Sequence, residues 1–170
     1  MKYLGNCSTI DWKDLISHLQ GAEGKVLTYR PSGNDLDKQW QAAGYLYHDP
    51  AIEWIQYWSG TTFDSSIADK FGEWVGAKPY YTFVSKIRVG KFIPFHIDHM
   101  VDQDSIPGTP VRYTCFMSGP IDGHLSLVED QVVHHANVGD VWQWPSPSSQ
   151  HSGVNVGNVD KWQFNFWGYK

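Results

Sequence analysis

Residues 92–100 read FIPFHIDHM, which places His96, Asp98 and His99 together at the end of a strongly apolar, strand-like run. In a strand, residues i and i+2 project to the same side. His96 and Asp98 can therefore offer an imidazole nitrogen and a carboxylate oxygen to one ion, while His99 points away. An ordinary polar loop after a strand is the plainer account of the same residues. A metal site needs a further ligand, and His151 stands out from His18, His48, His124, His134 and His135 by its setting, GDVWQWPSPSSQHSGVNVGNVDKWQFNFWG. It follows a strand and a Pro/Ser loop and precedes another apolar strand, which Lys161 opens. Within that strand Lys161, Gln163 and Asn165 alternate with Trp162, Phe164 and Phe166. The polar face either meets solvent or lines a cavity, where a lysine could hold an acidic ligand.

The elements that must position these residues divide the chain at about residue 79. Before it the pattern is partly helical. STIDWKDLISHLQG puts Trp12, Leu15, Ile16 and Leu19 on one face, with Ser8 or Thr9 as N-cap and Gly21 just past the end. KVLTYR (25–30) reads as a short strand. DPAIEWIQYWSG (49–60) opens with Asp-Pro, which suits an N-cap and first helical residue. SSIADKFGEWVG (65–76) repeats the helical pattern. After 79 come short β-like runs at 80–90, 111–117, 124–128, 131–138, 140–145 and 161–169, separated by turns such as GPIDG and NVGD. Strands at this spacing point to a sandwich or barrel. The expectation is one domain, residues 1–170, with a helical or mixed flank (1–79) and a β-rich core (80–169).

Here the residues carry a family resemblance. The order H-x-D, about fifty residues of β-structure, a distal His and then a Lys resembles the 2-oxoglutarate/Fe(II)-dependent oxygenase superfamily. KIRVGKFIPFHIDH resembles that family's strand–glycine–apolar–H-x-D segment. GDVWQWPSPSSQHSGVNVGNVDKW resembles its G-D-apolar strand, distal-His loop and N-x-G segment. The likeness covers roughly 80–169 and is nearest to prolyl-hydroxylase-like and aspartyl/asparaginyl-hydroxylase-like members. It implies a mainly β, double-stranded β-helix (jelly-roll, cupin-like) fold. It also implies that His96, Asp98 and His151 bind Fe(II) as two imidazoles and one carboxylate, a set that leaves positions open. 2-Oxoglutarate and O2 would be cosubstrates, with succinate and carbon dioxide formed as the substrate is oxidised. Halogenases of the superfamily leave the carboxylate out to make room for halide, so Asp98 points to hydroxylation. Lys161 would pair with the far carboxylate of 2-oxoglutarate, as a point charge can. A second contact is expected from VRYTCFM, where Arg112 and Thr114 share one strand face and Tyr113 takes the other. The resemblance favours Arg112, and all three are carried as candidates.

Other features bound the function. Net charge is −5, with no basic block, which speaks against a nucleic-acid partner. The N-x-T-x-R type segment of nucleic-acid demethylases in the superfamily is missing after His151. Cys7 and Cys115 form no C-x-x-C pair, and no apolar run approaches the ~20 residues of a membrane span. The N-terminus lacks the apolar core of a signal peptide. A cytoplasmic enzyme acting on a protein side chain or an amino-acid-like small molecule is the expectation, and a non-catalytic metal-binding cupin-like protein is the alternative. His134 and His135, adjacent in a strand, cannot easily share an ion, and Asp140 is expected as a turn residue. Trp142 and Trp144 are expected in core packing, with walling of the site as the alternative. Arg88 and Lys91 are unassigned, and 99–111 reads either as a substrate lid or as a plain connection.

Overall fold

A computed structural model describes residues 1–98 and 107–170. His99, and the candidate lid as far as 106, lie outside the described residues. Two antiparallel sheets face each other in a double-stranded β-helix. The larger has the order β1-β9-β6-β11-β4-β3-β2, and the smaller β5-β10-β7-β8. The strands are β1 Lys2–Asn6, β2 Lys25–Thr28, β3 Glu53–Trp58, β4 Lys78–Ile87, β5 Lys91–His96 and β6 Pro110–Phe116. They continue with β7 His124–Val128, β8 Gln131–Val133, β9 Asp140–Gln143, β10 His151–Asn155 and β11 Lys161–Tyr169. The helices are α1 Trp12–Gln20, α2 Asp35–Ala42 and α3 Ser66–Val75. None is long and apolar enough to cross a membrane.

The central strand β11 explains the layering. Its even residues Trp162, Phe164 and Phe166 project to the helix side and pack with Trp12, Leu15 and Leu19 of α1 and Phe71 of α3. Phe71 is fully buried, in ring contact with Phe164 (5.0 Å) and Phe166 (5.2 Å). A side chain buried this completely stabilises the fold by about 2–3 kcal/mol. The odd residues face the smaller sheet, and Gln163 and Asn165 line the cavity between the sheets. A strand with apolar and polar residues alternating, yet buried on both faces, means that the polar face meets a cavity and not solvent.

Three local expectations are corrected. Residues 53–58 form a strand, not a helix. Asp49 Oδ1 accepts the Ala51 N–H (2.8 Å), so the Asp-Pro pair builds a turn. Pairing with β2 and β4 then divides the aromatic run: Trp54 and Gln56 line the cavity while Ile55 and Tyr57 join the helix-side core. The N-cap of α1 is Asp11, whose carboxylate accepts the Asp14 N–H (2.9 Å), so the helix starts later than Ser8 or Thr9 would require. Residues 131–138 pair only as far as Val133, and His135 turns off with φ 53° to meet Asp122 at 2.8 Å on the surface. Three elements escape the periodicity: β1, which pairs β9; α2; and β10.

Candidate metal centre

β5 and β10 are neighbours in the smaller sheet, and the pairing sets His96 opposite His151. Asp98 follows two residues beyond the strand end. Ligand atoms of these three residues lie within 4.8 Å of one another. His96 Nε2 is 3.2 Å from Asp98 Oδ1, and His151 Nε2 is 3.3 Å from Asp98 Oδ2. The other nitrogen of each ring faces a backbone carbonyl two residues back. His96 Nδ1 is 2.7 Å from Pro94 O, and His151 Nδ1 is 3.1 Å from Ser149 O. A carbonyl can only accept, so both rings carry their proton on Nδ1 and turn a bare Nε2 toward the carboxylate. This is how metal-ligating imidazoles are oriented by their surroundings.

The electrostatics agree. Burial, with help from Arg112 and His96, pushes His151 down to about 3, so its ring is a neutral lone-pair donor at ordinary pH. Burial alone would raise Asp98. The charge of Arg112 beside it outweighs burial and holds the carboxyl well below its usual range. Two imidazoles and one carboxylate whose ligand atoms lie this close together fit a divalent transition metal.

Arg112, favoured as a second cosubstrate contact, lies in the cluster itself, paired with Asp98. Its guanidinium is sandwiched between the rings of Trp144 (3.6 Å) and Trp167 (4.3 Å). One terminal nitrogen donates to Asp98 Oδ2 at 2.8 Å and lies 3.3 Å from His151 Nε2, and the other donates to Pro147 O at 3.3 Å. Burial lowers it only to about 10, so it stays charged and orients the ligand carboxylate. Thr114, two residues on, also faces the cavity, where it accepts the Trp144 Nε1–H at 2.9 Å. Tyr113 does not reach the site. Strand alternation sends it to the helix side, fully buried against Phe71 and Phe166.

Lys161 is buried at the far side of the same cavity, slightly behind its lining. Its Nζ donates to Leu125 O and to Ser126 Oγ (2.9 Å), and Gln163 Nε2 donates to the same hydroxyl at 2.6 Å. Among the described residues no carboxylate pairs with it, and burial lowers it to about 7. Gly153 leaves the room: a Cβ there would meet Ile87 Cδ1 at 2.7 Å and approach Lys161 Nζ at 3.7 Å. The cavity, about 600 Å³, joins Ser126 and Gln163 at one end to His96, Asp98 and His151 at the other.

The remaining expectations fall into place around this centre. Trp144 walls the site, its ring 4.6 Å from that of His151, while Trp142 packs on Tyr3 at 5.1 Å. Asp140 opens β9 and accepts the Asn137 N–H (2.8 Å), a turn role. Arg88 pairs with Glu53, and Lys91 donates to Pro50 O, both away from the cavity. Trp167 and Ser126 were not singled out by sequence. Trp167 continues the odd-numbered face of β11, a signal that the Lys161/Gln163/Asn165 alternation already carried.

The sequence matches no family model and no curated protein. Solved structures show the fold. An oxidoreductase of the 2OG-Fe(II) oxygenase family from Burkholderia pseudomallei is 13% identical, with TM-score 0.56 over 92% of this chain and 78% of its own. The viral collagen prolyl hydroxylase of Paramecium bursaria Chlorella virus-1, in complex with 2OG, is 15% identical, with TM-score 0.52 over 87% of this chain and 96% of its own. A cupin 2 conserved barrel protein from Rhodopseudomonas palustris is 11% identical, with TM-score 0.44 over 86% and 72%. The first two likenesses, with the two antiparallel sheets, define the chain as a jelly-roll double-stranded β-helix. The His96/Asp98/His151 cluster could hold a metal ion.

Proposed function

We propose that the protein is a 2-oxoglutarate- and Fe(II)-dependent dioxygenase that hydroxylates a protein side chain or an amino-acid-like small molecule. The observation that carries this reading is Lys161: a buried ammonium, without a carboxylate partner among the described residues, directly behind Ser126, which lines the cavity. Burying a lysine without a counter-charge is costly, and an acidic ligand supplies that charge. Gly153, beside Lys161, is two residues from His151 on the same side of β10, about 7 Å along the strand. That separation suits a five-carbon dicarboxylate held by its two ends. A cupin that only binds metal has no use for such a lysine.

His96, Asp98 and His151 would hold the iron through Nε2, a carboxylate oxygen and Nε2. The metal, when bound, supplies the redox chemistry by which O2 and 2-oxoglutarate yield succinate, carbon dioxide and a hydroxylated substrate. The chain's own residues prepare that chemistry. Arg112 fixes the Asp98 carboxylate and keeps it ionised. Pro94 and Ser149 carbonyls hold both imidazoles in the ligating tautomer. Trp144 and Trp167 cover the guanidinium and exclude water from the ligand side.

The test is anaerobic addition of Fe(II) and then 2-oxoglutarate, recording the visible charge-transfer band, followed by succinate assay in air. A band that disappears in His151→Ala, and that needs far more 2-oxoglutarate in Lys161→Ala, is the expected result. Iron uptake with no band, and no succinate above the His151→Ala background, would leave a metal-binding cupin-like protein instead.

A further inference from the structure

The pairing of β5 with β10 runs only as far as His96 and His151. Ile97 lies next, between the two ligands His96 and Asp98, with no strand partner for its backbone among the described residues. Gln39 of α2 takes that place. The Ile97 N–H donates to Gln39 Oε1 at 3.0 Å, and Gln39 Nε2 donates to Ile97 O at 3.5 Å. One side-chain amide thus meets both backbone groups of Ile97, as a neighbouring strand would. Beside it, Trp40 Nε1 donates to Phe95 O at 3.1 Å, and its ring stands edge-on to His96 at 5.7 Å.

The helix that presents these two side chains is itself anchored. Asn34 caps it by accepting the Asp37 N–H (2.8 Å). The buried Asp37 carboxylate accepts Gln41 Nε2 (3.0 Å), the N–H groups of Ser32 (2.9 Å) and Gly33 (2.8 Å), and the Tyr47 hydroxyl (2.7 Å). Trp40 is wedged against Tyr29 and Trp54. The clamp is therefore a rigid piece of the N-terminal region, which carries no motif of its own.

We infer that Gln39 is a positioning residue for the metal centre: it sets the Ile97 peptide and through it the direction of the Asp98 carboxylate, with Trp40 steadying His96. This rests on the triad being a metal site. Partners hydrogen-bonded to the ligands change metal affinity by about 10–100-fold when lost, and Gln39, one step further out through the Ile97 backbone, acts at the low end of that range.

The experiment uses the full chain and Co(II), whose visible spectrum reports its coordination. Gln39→Met keeps the length of the side chain and removes both hydrogen bonds, and Gln39→Asn keeps the amide but shortens its reach. Lys38→Ala, which removes an exposed ammonium paired with Asp35 on the same helix, is the control. Dissociation constants and spectra are read for each, with urea unfolding of the metal-free proteins alongside. Expected are at least tenfold weaker Co(II) binding and an altered spectrum in both Gln39 variants, with Lys38→Ala like the wild type. Folded Gln39 variants that bind Co(II) within twofold of wild type, with the same spectrum, overturn the inference even if their urea midpoints fall. A wild type that binds no Co(II) would instead remove the metal reading on which it stands.

Discussion

Replacing Lys161 with methionine should stabilise the ligand-free protein, and do so more at acid than at alkaline pH. In the folded chain burial lowers the ammonium to about 7, against 10.5 when solvated. The unfolded chain therefore binds more protons between these values, and wild-type stability must rise with pH across that window. Worked through the linkage relation, the buried charge costs about 5 kcal/mol at pH 6 and about 2 kcal/mol at pH 9. Methionine removes that cost but takes a donor from Leu125 O and leaves Ser126 Oγ with Gln163 alone, at about 1–3 kcal/mol together. The net gain at pH 6 is then about 2–4 kcal/mol, in the range found when buried charges give way to apolar groups. The assay is urea unfolding of both proteins at pH 6, 7.5 and 9 without metal or 2-oxoglutarate. Taking the difference between them cancels the titrating groups that do not feel Lys161, which leaves His124, whose ring Lys161 lowers, as the one linked group among the described residues. The gap should shrink by about 3 kcal/mol from pH 6 to pH 9. A gap that stays constant, or a variant less stable than wild type at pH 6, would refute the picture of Lys161 as an uncompensated charge kept for an acidic ligand.

Two further outcomes follow from the same contacts. Arg112→Met removes the cation paired with Asp98 at 2.8 Å, which leaves a buried carboxylate without it. The metal-free variant should lose about 3–5 kcal/mol, and saturating Co(II) should raise its melting temperature more than that of wild type; equal increments would refute this. Asp37→Asn tests the anchor of α2. The Gln41 amide and the backbone N–H groups of Ser32 and Gly33 hold this carboxyl well below its usual value. Its stabilisation is therefore present above about pH 4, the unfolded value, and fades as the pH falls further. Urea midpoints of wild type and variant should differ at pH 7 and converge toward pH 3.

Much of the site was legible because its signals are local. The i, i+2 rule alone puts His96 and Asp98 on one side, and the Lys161/Gln163/Asn165 alternation marks one face of β11 from end to end. Amphipathic helices such as α3, with Gly76 in the left-handed conformation at its end, announce themselves in the same way. What one strand's pattern cannot carry is which of its faces looks inward. Arg112 and Thr114 face the cavity, and Tyr113 the core, because β6 is hydrogen-bonded between β11 and β9, whose register assigns the faces. The aromatic run 54–58 fits a helical period as well as a strand period. Only the open edge of β4 beside it decides the matter, through pairing between residues about thirty positions apart.

The sequence by itself determined the residue types of the candidate site, their order along the chain and a β-rich core of short strands, since these rest on residue identity and short-range periodicity. The jelly-roll class came from the family resemblance. The tertiary structure decided that His96 meets His151, that Arg112 rather than Tyr113 reaches Asp98, and that an N-terminal helix closes the strand end at Ile97. Each of these joins segments distant in sequence. Such contacts form only when the sheets close on one another and their backbone donors and acceptors must all find partners.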